Sequence, residues 1–171
     1  SNLTTIDLAS GSTLTLGGSD TIAGLSGAGT LANTGKNLRL DTSSTTTFAG
    51  AMAGAGTLTI SGAGKQILSG VSSYSGGTSV LSGSLVLANS TAAGNGGIVV
   101  SSGASLGLQG GISVANAVTV GGSGVAGGGA IQNISGANEL LGAISQSAGT
   151  IYSTANGSSL NVSGSIGRSG G

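Results

Sequence analysis

One short pattern returns along the whole chain: a few aliphatic residues alternate with Ser or Thr, and Gly, Asn, Ser-Gly or Gly-Ala-Gly closes the run. It occurs as LTTIDL (Leu3 to Leu8), TLTL (Thr13 to Leu16), NLRL (Asn37 to Leu40), TLTI (Thr57 to Ile60) and SLVLA (Ser84 to Ala88). It continues as IVVS (Ile98 to Ser101), AVTV (Ala117 to Val120), TIYS (Thr150 to Ser153) and SLNV (Ser159 to Val162). Period-two alternation is the signature of a strand with one buried face. It places Leu14 with Leu16, Leu58 with Ile60 and Leu85 with Leu87 inward, and turns Thr15, Thr59 and Val86 the other way. No stretch holds helical spacing.

Whole phrases also recur. GAGTL fills Gly27 to Leu31 and again Gly54 to Leu58, and the Gly83-Ser84-Leu85 opening returns as Gly103-Ala104-Ser105-Leu106. Intervals of roughly 20 to 27 residues fall in the range of solenoid coils, whereas a β-sandwich gives no reason for a phrase to return at coil length. The chain has one Phe, two Tyr and no Trp. A sandwich core of this size would use more large aromatics, while a narrow coil is filled by stacked aliphatics. The expected fold is therefore all-β, a right-handed parallel β-helix (β-solenoid) running as a single segment over residues 1–171. At roughly 20 residues per coil and roughly 4.8 Å per layer, about eight coils would stand on the order of 40 Å tall.

Composition narrows the function. With 37 Gly the chain could be mistaken for a disordered tract, but Leu, Ile, Val and Phe supply 40 residues, enough for a modest core. Four basic and four acidic residues give zero net charge, which offers no electrostatic footprint for a nucleic acid or an anionic membrane. No apolar run approaches the roughly 20 residues of a membrane span, so no membrane insertion is expected in this segment. The absence of His and Cys rules out Ser/His/Asp and Cys/His nucleophiles and thiolate or imidazole metal sites within the chain.

From Gly62 to Asn89 a longer order is legible: Gly62 and Gly64, Leu68-Ser69-Gly70, Tyr74-Ser75-Gly76-Gly77-Thr78, then Gly83-Ser84-Leu85-Val86-Leu87. This order resembles the passenger-associated transport repeat (autotransporter-associated β-strand repeat) of bacterial autotransporter proteins. Ser72 stands where that family often has Asn, and both residues suit turns. Gly96 to Gly122 looks like the usual continuation, so the resemblance covers a little over a third of the chain. It implies a right-handed parallel β-helix displayed on or released from the cell surface, with the repeat assisting secretion and folding. With neither a C-terminal barrel pattern nor a signal peptide in the sequence, an excised or processed passenger piece is expected.

Residues that could carry chemistry are few. A β-helix can set carboxylates of successive coils side by side, and the spacing of Asp20 and Asp41 is compatible with stacking, as a polysaccharide-cleaving enzyme would need. Lys36 and Arg39 are the basic residues near Asp41. The preferred reading puts Asp7, Asp20 and Asp41 at turns or on the solvated face, weakly paired with Lys36 and Arg39. Gly17-Gly18-Ser19-Asp20 is a lone fragment of a calcium-type repeat. The run from Gly121 to Gly129 lacks the strand-to-helix context of a phosphate cradle and reads as a loop. Tyr74 reads as a packing or turn-capping residue inside the repeat. Asn2, Asn89, Asn133, Asn156 and Asn161 open Asn-x-Ser/Thr triplets of the kind chance produces in such a composition.

The sequence thus predicts a non-enzymatic, extracellular or cell-surface rod with no catalytic, metal or cofactor residues. Its expected partners are copies of itself, end to end or laterally, because strand edges at rod ends invite pairing and few charges and no Pro are present to block it. The alternative is a lateral Ser/Thr/Asn face that binds a surface polysaccharide or a host protein.

Overall fold

In the computed structural model, which describes residues 3–168, the chain winds as a stack of parallel strands. Three strands make up each of the first three coils: β1 (Thr5–Leu8), β2 (Thr13–Thr15) and β3 (Asp20–Ile22), then β4 (Gly24–Gly27), β5 (Thr30–Ala32) and β6 (Asn37–Asp41), then β7 (Thr45–Phe48), β8 (Ala51–Ala53) and β9 (Thr57–Ser61). Coils four and five have two strands each, β10 (Lys65–Leu68) with β11 (Thr78–Val80), and β12 (Ser84–Leu87) with β13 (Ile98–Val100). Coils six to eight return to three: β14 (Ser105–Gln109), β15 (Ser113–Val114), β16 (Val118–Val120), then β17 (Ile131–Ser135), β18 (Ala137–Leu140), β19 (Ile144–Gln146), then β20 (Tyr152–Thr154), β21 (Ser159–Val162), β22 (Ile166–Arg168).

Strands in equivalent positions form the sides of the rod. The first side is an eight-stranded sheet, β1-β4-β7-β10-β12-β14-β17-β20, and the second is β3-β6-β9-β11-β13-β16-β19-β22. The third side is split into β2-β5-β8 and β15-β18-β21. Every pairing is parallel, because each strand meets its counterpart after one turn of the chain in the same direction. The expected β-solenoid of about eight coils is what the chain forms.

Parallel register stacks like positions into columns. On the second side Leu38 pairs with Leu58, Leu58 with Thr78, Thr78 with Ile98 and Ile98 with Val118. Leu40, Ile60, Val80, Val100 and Val120 form the adjoining buried column. Each layer thus adds a few buried aliphatics and satisfies the backbone of the layer below. Val86 departs from the alternation rule. It faces outward yet is 1% exposed, in a position close to Ile134 across Gly107, where a Cβ would lie 2.6 Å from Ile134 Cδ1 and 3.0 Å from Val86 Cγ2.

The recurring phrases divide into two kinds. Gly83-Ser84-Leu85 and its later copy do stack, with Ser84 paired to Ser105 and Leu85 to Leu106. The two GAGTL copies do not, since Leu31 sits on the third side against Met52 while Leu58 sits on the second side against Leu38. The phrase marks a corner chemistry used at two different corners. Space at those corners is the reason for Gly: a Cβ on Gly50 would lie 1.9 Å from the Gly29 carbonyl oxygen, and one on Gly70 would lie 1.9 Å from that of Gly50. Successive coils approach there by backbone alone.

Candidate functional surface

On the sides of the rod, several outward hydroxyls, amides and carboxylates are tied to the next coil. Asn37 Oδ1 accepts from both Thr57 Oγ1 and Thr59 Oγ1, each at 3.0 Å. Asp7 accepts from Ser26 Oγ at 2.8 Å, and Asp41 from Ser61 Oγ at 3.2 Å. Asp20 accepts from the neighbouring Thr21 N–H at 2.8 Å. Glu139 links three coils, since it pairs in register with Ser113 and Asn161 and accepts from Asn161 Nδ2 at 2.8 Å and from Ser163 Oγ. Asp7, Asp20 and Asp41 therefore sit on the solvated face, as expected, but the groups that donate to them are Ser26, Thr21 and Ser61 and not the expected Lys36 and Arg39.

Asp20 and Asp41 do not stack. Asp20 is the register partner of Leu38, and Asp41 that of Ser61, so the two carboxylates lie at opposite ends of adjacent strands, roughly 10 Å apart along the strand. Their sequence separation suggested one coil, but this first seam on the second side advances by a shorter step. Among the described residues no group of three His, Cys, Asp or Glu side chains is placed to hold a metal ion.

Polar and aromatic groups are also packed inside the rod. Tyr74 is 2% exposed, and its hydroxyl shares a 2.5 Å hydrogen bond with Thr78 Oγ1. Burial pushes the Tyr74 hydroxyl up to about 12, the bond to Thr78 offsetting part of that rise. Ser72 Oγ accepts the Met52 N–H at 3.1 Å, holding the strandless third side of coil four onto β8. Buried Asn residues do the same at other corners. Asn33 Nδ2 donates to Thr57 O at 3.2 Å, Asn116 Nδ2 to Gly96 O at 2.6 Å, and Asn138 Oδ1 accepts the Ile112 N–H at 2.7 Å. Asn133 Nδ2 donates to Ser159 O at 2.9 Å and its Oδ1 accepts from Asn138 Nδ2. These inward amides escaped sequence reasoning, because Asn near Gly reads as a turn former whichever way its side chain points.

The remaining sequence candidates take structural places. Asn133 is buried with its amide engaged, whereas Asn161 donates to Glu139, Asn89 caps Thr91 and Asn156 is exposed; Asn2 lies outside the described residues. The Gly121 to Gly129 loop carries a single 3-10 turn, Val125–Gly127, and docks on buried Ser105, whose Oγ accepts Val125 N–H at 2.9 Å and donates to Gly129 O at 2.8 Å. Large apolar side chains left exposed are Val71 at 65%, Ile166 at 52%, and Leu81, Val99, Leu141 and Ile151. Among the described residues no helix is long and apolar enough to cross a membrane.

Residues 58–87 match the family described as Passenger-associated-transport-repeat. The match runs from β9 through the whole of coil four to the end of β12, so the repeat unit is one coil with the strand that precedes it and the strand that follows. No curated protein and no solved structure matches the chain.

Proposed function

We propose that this chain, a β-solenoid whose fourth coil is a passenger-associated transport repeat, is an autotransporter passenger segment serving as a non-enzymatic structural rod outside the cell. The observation that carries the reading is the run of two eight-stranded sheets along all the coils, with outward carboxylates spent on hydroxyl and amide contacts between layers. A rod of this kind serves as a stalk at the cell surface or as the unit of a self-associating fibre in adhesion or a biofilm matrix. Copies of the chain are the favoured partners, since a surface with so few charges provides little repulsion between copies. Electron microscopy and sedimentation of the purified chain across a concentration series test this. Rods that lengthen or bundle with concentration support the fibre, monodisperse rods of constant length support the stalk, and non-elongated particles overturn both.

A second reading has its own observation. The hydroxyl and amide lattice around Asn37, Thr57 and Thr59 offers closely spaced donors and acceptors on one sheet face, suited to a polysaccharide or a polar protein surface. Binding on a glycan array that disappears in Thr57→Val/Thr59→Val, with the rod intact by circular dichroism, would favour it over a purely structural role.

A further inference from the structure

Between its second and third coils the rod is fully laddered on two sides only. β6 pairs with β9 through five residues and β5 with β8 through three. On the first side, β4 and β7 share a single partner pair, Gly27 with Phe48, where the seams directly before and after have four pairs each. The cause is local. Thr46 presses against the β4 backbone, so that a Cβ on Gly24 would lie 2.9 Å from Thr46 Cγ2 and 3.0 Å from Thr46 Oγ1.

The backbone of Leu25, which would otherwise be laddered to β7, is taken up by a side chain two coils away. Gln66 of β10 is 0% exposed and stands in register between Thr46 and Leu85. Its Nε2 donates to Leu25 O at 3.0 Å, and its Oε1 accepts Leu25 N–H at 3.3 Å and Thr46 Oγ1 at 2.7 Å. Thr46 is short, which leaves the amide room to pass over coil three and reach coil two. Burying an amide is costly unless its groups are paired, and here both the carbonyl and the NH2 are.

We propose that the β4–β7 seam is a one-sided hinge in the rod, latched by Gln66, along which coils one and two open from the rest as a unit while the other two sides hold. A side-chain latch is weaker than the ladder it replaces, so opening there is a sub-global event with its own free energy. The hinge gives a solenoid a defined place to bend.

Backbone amide hydrogen exchange on the purified chain tests this. The expected profile is local to the seam: the Leu25 and Ala49 amides, whose bonds to Gln66 Oε1 and Gly27 O cross it, exchange on the order of tenfold faster than the Ala28 and Ser69 amides, which are bonded across the seams before and after. Gln66→Leu, which removes the latch but keeps the bulk, should raise exchange of the Ala49 amide by roughly another tenfold and leave β12 and β13 unchanged. Thr46→Val removes a single bond to the latch and should move the Ala49 amide in the same direction, by a few-fold, even if the Leu variant fails to fold. Exchange that falls smoothly from Ala28 through Ala49 to Ser69 would mean simple fraying and would overturn the hinge. So would Leu and Val variants whose Ala49 exchange equals that of the unaltered chain.

Discussion

Coils three and four have the same outline but complete their third side by different means. In coil three it is a strand, β8, paired to β5 residue for residue. In coil four, residues 69–77 contain no strand, yet Val71, Ser73 and Ser75 are exposed while Ser72 and Tyr74 are buried, so the period of two persists. Backbone bonds persist too, Ser73 N–H donating to Met52 O at 2.8 Å and Ser75 N–H to Gly54 O at 2.9 Å. What changes is that the Met52 N–H is received by the Ser72 hydroxyl, and that Tyr74 fills the interior that a small aliphatic would leave open. A solenoid layer must satisfy its backbone and fill its core, and either task can pass to side chains.

If Tyr74 fills coil four as described, Tyr74→Ala is the most damaging single truncation. The expected loss is about 3–5 kcal/mol in chemical denaturation, against about 2–5 kcal/mol for Met52→Ala in the strand-built coil. A loss below about 1 kcal/mol for Tyr74→Ala would show that coil four does not depend on the aromatic, and the contrast between the coils would collapse.

The same residue gives the contrast a pH dependence. Its hydroxyl is raised from 10.0 to about 12 in the folded chain, so between those values the unfolded state releases the proton first. Tyr74 thus contributes stability that is complete below pH 10 and is lost as pH rises through about 12, on the order of 2–3 kcal/mol in all. Tyr74→Phe should flatten that decline while losing about 1 kcal/mol at neutral pH with the Thr78 hydrogen bond. Denaturation midpoints from pH 8 to 12 for both chains measure it; parallel curves would rule out Tyr74 as the titrating group.

How far the sequence foretold this follows from what each residue advertises. Leu58-Thr59-Ile60 and its like announce a strand by alternation alone, and all nine of the strand-like runs fall on strands. Short strands such as β4 (Gly24–Gly27), β8 (Ala51–Ala53) and β15 (Ser113–Val114) carry too little alternation to be seen, and their pairing comes from the coils on either side. Tyr74 was legible as packing because it sits inside a repeat. Gln66 was not, because nothing local tells an inward Gln in KQIL from an outward one; its direction is fixed by Leu68 two positions on, and its partners lie two coils away. The spacing of Asp20 and Asp41 misled for the complementary reason: register is set by the whole seam, and residues a coil's length apart need not meet.

Glycine at the corners sharpens the contrast differently, because here the two coils should behave alike. Gly50 and Gly70 each face a carbonyl oxygen of the preceding coil at 1.9 Å from a modest added Cβ, and Gly50 would also meet the Phe48 ring at 2.5 Å. Ala at either site must push the layers apart, at a cost of about 1–3 kcal/mol. Equal losses for Gly50→Ala and Gly70→Ala, read from thermal midpoints, would show that the corner is common to both ways of building the third side. A loss at Gly50 alone would mean that the strandless side of coil four yields where the strand of coil three cannot.

The finest test separates two adjacent residues within that strandless side. Ser72→Ala takes away the acceptor of the Met52 N–H and leaves a buried donor unpaired, which costs about 1–3 kcal/mol although a single oxygen is removed. Val71→Ser alters a larger apolar side chain that is 65% exposed, and should change stability by no more than about 0.5 kcal/mol. Denaturant midpoints for the two variants decide whether the Ser72 hydroxyl truly stands in for a strand's backbone. Were Ala at position 72 as harmless as Ser at position 71, coil four would be held by Tyr74 and its corners alone, and its third side would be packing without a ladder.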